Sequence, residues 1–290
     1  MFLYGIDTLT INKIVAIANG NLSAKLDEKA LNKINKSRAI VDKMAISKNA
    51  IYGINTGFGP LCDTQITPKE TNKLQENLLI SHAVGVGNPI DKELSKIMMI
   101  CKVHALSQGF SGVRLVLIER IIFFINNNIL PVVPEQGSVG ASGDLAPLAH
   151  LFLPIIGEGE CWVKDKIVPT KEILKSYKLH PLTLVAKEGL GLINGTQFIL
   201  AHTVFGLKKM EYLLDLADVA GAMSLEGFQG SASPFKEELH RTRPYKGTLK
   251  VAKRIRMLLK DSENVKNHYQ CSRVQDPYSI RCIPQVHGAS

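Results

Sequence analysis

Apolar positions recur along most of the chain at helical intervals. Leu31, Ile34, Val41 and Met44 share one face of a helix, and Val251, Ile255, Leu258 and Leu259 share one face of another over 248–260. Thr10 is placed to cap a short helix that Asn19-Gly20 ends. Thr67-Pro68-Lys69-Glu70 has the form of a capping box with proline at the first helical position, so an apolar-periodic helix is predicted through about Leu79. Asp91 can cap the next, through Ile97, Met98, Cys101 and Leu106. Residues 113–127 read as a buried helix and 196–226 as one long helix. At 1.5 Å per residue the latter spans about 45 Å, a length that belongs in a bundle. Ser233-Pro234 begins another helix.

Strand signals are few. Cys161-Trp162-Val163 and Lys166-Ile167-Val168, joined by Lys164-Asp165, read as a hairpin. No βαβ alternation is present, which argues against a doubly wound sheet. The fold class expected is mainly α: a loop-rich helical N-terminal domain over 1–192 with a small β-hairpin, leading into the long helices of a bundle over 193–290. Glycine clusters at 53–59, 85–87, 137–143 and 189–195 interrupt the helical pattern as loops. Glycine weakens helices, so such clusters mark turns or close backbone approach.

Composition narrows the picture. The chain has 290 residues, 45% hydrophobic and 21% charged, which fits a soluble globular protein and excludes a disordered one. The net charge of +9 raises nucleic acid or a membrane surface as partners. The lysines are scattered, however, with no block of five basic residues, and the 6% of aromatic residues shows no stacking pattern. Neither partner is expected. Five cysteines, an odd number without a CxxC pair, argue against a disulfide framework and a zinc site and fit a reducing cytoplasm. No constellation requires a metal. Met1 to Asp7 is not a signal peptide, and the apolar stretch from Leu115 to Val133 is broken by Glu119, Arg120 and Asn126 to Asn128, so no membrane span is expected.

The chemistry concentrates in Gly137-Ser138-Val139-Gly140-Ala141-Ser142-Gly143-Asp144-Leu145. Spacing alone leaves a plain flexible loop or a phosphate-binding loop open, although the GK[ST] of a Walker A site is missing. Covalent chemistry is a third reading. The amide nitrogen of Gly143 can attack the Ala141 carbonyl and close a five-membered ring around Ser142, because small residues let the backbone bend that tightly. Loss of water from the ring and from the Ser142 side chain leaves an exocyclic alkene. The product, methylidene imidazolone, is an electrophile built from the chain itself with no external cofactor. Asp144 is adjacent and can move protons during the cyclisation.

This segment, continued through Ala146-Pro147-Leu148-Ala149-His150, resembles the signature of the aromatic amino acid ammonia-lyases, with the histidine-specific branch nearest. Four more segments agree in content and order: Tyr52 to Gly59, Ser81 to Gly87, Lys187 to Gln197, and Val274 to Cys282. The tail Pro284-Gln285-Val286-His287-Gly288 also fits.

The resemblance implies site roles that the residues alone leave open. Tyr52, otherwise an ordinary half-buried tyrosine, becomes the base for the β-proton, and Tyr278 lines the same pocket. His82, otherwise a structural histidine, lies beside the substrate side chain. Asn194 hydrogen-bonds the electrophile or the substrate, Gln275 lines the pocket, and Arg281 pairs with the substrate carboxylate, a contact suited to guanidinium. The implied reaction is non-oxidative elimination of ammonia from L-histidine to trans-urocanate. A tyrosine or phenylalanine ammonia-lyase or aminomutase is the alternative, and an incompetent fragment a third reading. The resemblance further implies a longer protein whose remaining bundle helices lie outside this sequence, and a homotetramer with active sites shared between subunits.

Overall fold

The structure is a computed structural model that describes residues 1–58, 64–267 and 273–290. Gly59, Cys62 and Cys271 lie outside the described residues. The chain packs as two units, Met1–Phe205 and Gly206–Ser290.

The first unit runs β1 (Phe2–Leu3), α1 (Ile11–Ala18), β2 (Ala24–Lys25), α2 (Glu28–Ala45), α3 (Pro68–His82), β3 (Val86–Pro89), α4 (Lys92–Ser107), α5 (Leu115–Asn126), β4 (Ile129–Pro131), β5 (Pro134–Gln136), α6 (Leu145–Phe152), β6 (Glu160–Val163), β7 (Lys166–Pro169), α7 (Thr170–Ser176), α8 (Glu188–Ile193) and the start of α9 (Gln197–Gly227). Helix starts follow their caps. Thr10 accepts from the Lys13 amide, Asp27 from Ala30 and Asp91 from Glu93, and Thr67 and Glu70 close a complete capping box. Each such cap stabilises its helix by about 1 kcal/mol. The core centres on α4, whose Ile97, Met98, Ile100 and Val103 are fully buried and which packs against α1, α2, α5 and β4.

The expected hairpin forms with Val163 opposite Lys166, and Lys164 takes the left-handed conformation at its tip. It gains β4 as a third strand, in the order β4-β6-β7. Two smaller pairings, β1 with β2 and β3 with β5, join segments far apart in sequence.

Three local expectations need correction. Residues 189–193 of the last glycine cluster belong to helix α8, not to a loop. Its glycines serve close packing: a Cβ on Gly189 would stand 2.4 Å from the Gln75 carbonyl oxygen of α3, so glycine is what lets the two helices approach. Ser233-Pro234 starts only a single 3-10 turn, Ser233–Phe235, before α10 (Glu237–Arg241). The third concerns α11 (Lys246–Leu258), where Leu258 is exposed while Val251, Ile255 and Leu259 are buried.

The second unit continues from α9 through α10 and α11 to α12 (Glu263–Asn267), α13 (Tyr278–Arg281) and α14 (Ile283–Ala289). Helices α11 and α14 pack closely, and Ala222, Leu225, Phe235, Val251, Ile255, Leu259 and Ile283 form a core of their own. Residues 188–227, which include α9, contain an 18-residue window of mean hydropathy 1.3, long and apolar enough to cross a membrane by length and composition alone. A buried bundle helix meets the same criterion.

Candidate active site

In the first unit the tripeptide sits at a tight turn. The Gly143 amide donates to the Gly140 carbonyl at 2.9 Å, and the Gly140 amide donates back to Gly143 at 3.2 Å. Ala141 and Ser142 form the exposed corner. Gly143 has φ +104° and is buried, and a Cβ there would stand 2.7 Å from the Gly195 carbonyl oxygen. Only glycine fits both the conformation and the space. The turn closes Gly140 on Gly143 and leaves Ala141 and Ser142 at its tip.

The floor of the turn is the segment after α8. The Asp144 amide donates to the Gly195 carbonyl at 2.8 Å. The Asp144 carboxylate is fully buried, and its Oδ2 accepts from the Phe198 and Ile199 amides at 2.8 and 3.0 Å. Those two amides belong to the first turn of α9, where unpaired N–H groups and the helix dipole favour an anion. Asp144 therefore caps α9 from across the chain. Its Oδ1 is buried without a hydrogen-bond partner. An orphaned acceptor beside the tripeptide fits the proton movements that forming a methylidene imidazolone there would need.

Beneath this segment lies a residue the sequence reading missed. Lys102 of α4 is 2% exposed, and its Nζ donates to the Asn194 carbonyl at 2.7 Å and faces Gln197 Oε1 at 3.4 Å. Burial pushes its pKa down to about 7, with the charge of Asp144 pulling the other way. The available signal was a lysine inside the apolar run Ile97 to Val103.

Asn194 itself ends α8 with its side chain exposed. His82 is the last residue of α3, and its Nδ1 faces the Leu78 carbonyl at 2.9 Å. The same nitrogen lies 3.1 Å from Ser81 Oγ, so the ring is held at Nδ1 and Nε2 is the nitrogen left for a ligand. The following residues are tied to α6, where His150 Nε2 accepts from the Gly85 amide at 2.9 Å. Tyr52 is exposed and stacks edge-on with Phe58 at 5.8 Å.

The second unit gathers the other three residues. The Arg281 guanidinium lies 5.0 Å from the centre of the Tyr278 ring. With the Gln275 amide turned so that its oxygen faces Arg281, it accepts from Nη2 at 2.8 Å and Nη1 at 2.5 Å. Arg281 Nε donates to the Asp276 carbonyl at 2.8 Å. Asp276 is a second residue missed from sequence. It is buried, and its Oδ2 accepts from the Ser231 amide at 2.6 Å, so it anchors the segment that presents the arginine.

A sequence profile of the aromatic amino acid lyases matches residues 9–290. The chain is 46% identical to the histidine ammonia-lyase of Myxococcus xanthus over 98% of its own length and 56% of that protein. Among solved structures, it resembles the histidine ammonia-lyase from Trypanosoma cruzi with TM-score 0.86 and 36% identity, over 99% of this chain and 54% of that one. It also resembles the tyrosine aminomutase from Streptomyces globisporus with TM-score 0.87 and 31% identity, over 99% of this chain and 58% of the other. The chain thus spans about half the length of the curated relatives it matches.

Proposed function

The chain belongs to the aromatic amino acid lyase family, and from that premise we propose that the protein it forms part of eliminates ammonia from L-histidine to give trans-urocanate. Identity of 44–46% to histidine ammonia-lyases over nearly the whole chain carries the substrate assignment. The turn at Gly140 to Gly143 supports an electrophile made from Ala141, Ser142 and Gly143. When formed, the methylidene imidazolone supplies an acceptor for the substrate amine that makes ammonia a better leaving group.

The chain's own residues do the rest. Arg281, held by Gln275 and the Asp276 carbonyl, offers its guanidinium to the substrate carboxylate. His82 Nε2 accepts a hydrogen bond from the substrate imidazole. Tyr52 removes the β-proton, Asn194 hydrogen-bonds the electrophile or the substrate, and Tyr278 stands beside Arg281 on the segment that receives the carboxylate. Asp144 moves protons while the ring forms. Residues 1–192 carry the tripeptide loop, and 193–290 begin the central bundle of a cytoplasmic homotetramer.

The test is peptide mapping across 137–150 with an assay of the whole protein. A deficit of two water molecules on that peptide, with urocanate formed from histidine, supports the reading. An unmodified peptide sinks the electrophile. Cinnamate or coumarate formed in preference to urocanate sinks the substrate assignment in favour of the phenylalanine or tyrosine enzymes.

A further inference from the structure

We propose that Lys102 is a positioning residue for ring formation, acting through the Asn194–Gly195 backbone on which the tripeptide rests. The inference stands on the proposed self-formed electrophile and adds a residue to its formation.

Three contacts form a continuous stack. Lys102 Nζ holds the Asn194 carbonyl at 2.7 Å. The next carbonyl along the chain, that of Gly195, receives the Asp144 amide at 2.8 Å. The Gly143 α-carbon presses against that same Gly195 carbonyl, with no room for a side chain between them. Two consecutive peptide groups therefore link the lysine, on the Asn194 carbonyl, to the cyclising residues, on the Gly195 carbonyl. Gln197 extends the contact, since its Oε1 also faces Lys102 and its residue opens α9, whose next two amides bind Asp144.

Charge gives the arrangement a second purpose. Asp144 is fully buried, and an ionised carboxylate there needs compensation. The α9 N-terminus supplies part of it. Lys102, itself buried and without a carboxylate within ion-pair distance among the described residues, stands across the Asn194–Gly195 backbone from Asp144, whose charge favours the lysine's charged form while burial disfavours it. An ordinary core lysine would instead be costly with nothing to show for it. Lys102 touches neither Ser142 nor any reacting atom, so its role is to hold the Asn194 carbonyl and, through it, the Gly195 carbonyl on which the cyclising residues rest.

The test compares Lys102→Met and Lys102→Arg with the unaltered protein by two readouts. The first is the fraction of the 137–150 peptide lacking two waters at a fixed time after synthesis. The second is hydrogen–deuterium exchange across 140–145 and 194–199. Lys102→Met should slow ring formation about tenfold, the scale of one hydrogen bond from a charged donor. It should also raise exchange at both segments together, while Lys102→Arg restores both. Unchanged exchange in Lys102→Met overturns the proposal, whether or not the ring forms. Equal loosening in Lys102→Met and Lys102→Arg also overturns it, because the charge would then be irrelevant. Absence of the ring in the unaltered protein, with exchange still responding to Lys102, would retire the electrophile but leave the positioning role standing.

Discussion

The tripeptide cradle and the Gln275 to Arg281 segment solve opposite problems. The cradle is specified by backbone: Gly140 paired with Gly143, Gly143 on Gly195, and the Asp144 carboxylate on two α9 amides. Gly143 and Asp144 are buried in it, while Gly140, Ala141 and Ser142 reach solvent. The second segment is specified by side chains. Tyr278 is 75% exposed, and Arg281 is held by one backbone carbonyl and one amide side chain. Under the proposed function the tripeptide is bent into a ring and needs rigid surroundings, whereas Arg281 captures a ligand and needs a free face. Mutations in the first region should therefore act on ring formation, and those in the second on substrate binding.

The largest effect should come from Gly143→Ala. The left-handed φ costs a residue with a Cβ roughly 1–2 kcal/mol, and the contact with the Gly195 carbonyl adds to it. The expected result is no detectable two-water deficit on the 137–150 peptide and a lower melting temperature. A ring formed at the normal rate would break the claim that backbone geometry governs this region.

The converse substitution is Arg281→Lys. It removes the planar fork that suits a carboxylate and the Nε bond to Asp276. KM for the amino acid should rise about tenfold or more, the scale of a lost charged hydrogen bond, with the two-water deficit unchanged. A reduced deficit in this variant would mean that the two regions do not divide the work as argued.

The two regions were also unequally legible in the sequence. Elements with local chemical signals could be read directly: Thr10, Asp91 and the Thr67–Glu70 box start helices, and Lys164-Asp165 turns the hairpin. These signals act within a few residues. The tripeptide and Arg281 were legible through resemblance, as motifs. What was not legible depends on partners distant in the chain. Helix α8 was read as loop because glycine disfavours helices, yet Gly189 is there to admit Gln75 of α3. The strands β3 and β5 are four and three residues long, and each is defined only by the other. Lys102 carries no motif, and its importance lies in the Asn194 carbonyl, 92 residues away. The apolar surface of α9 is similar in kind. Leu200, Leu207, Met210, Leu213 and Leu216 are exposed, and no pattern within the helix distinguishes a bundle seam from a membrane span.

The smallest expected effect concerns the support that joins the His82 loop to the cradle. His150 of α6 accepts the Gly85 amide through Nε2, a role only the neutral imidazole can fill. Burial lowers its pKa below the usual histidine value. His104, whose Nδ1 accepts from the Gly5 amide, is shifted the same way by burial. For a base with a depressed folded-state pKa, the unfolded chain takes up protons first as pH falls. Stability is therefore full above the unfolded value, about 6.5, and declines as pH drops from there toward the folded value. The lowered carboxyl groups Glu70, Asp165 and Glu237 lose their contribution only further into the acid range. A urea midpoint that declines modestly between about pH 7 and 5.5, and less so in His150→Gln, is the expected outcome. A midpoint that is flat over that window, or that declines equally in His150→Gln, would mean that the Gly85 contact survives protonation. The His82 loop would then be held by something other than the neutral ring of His150.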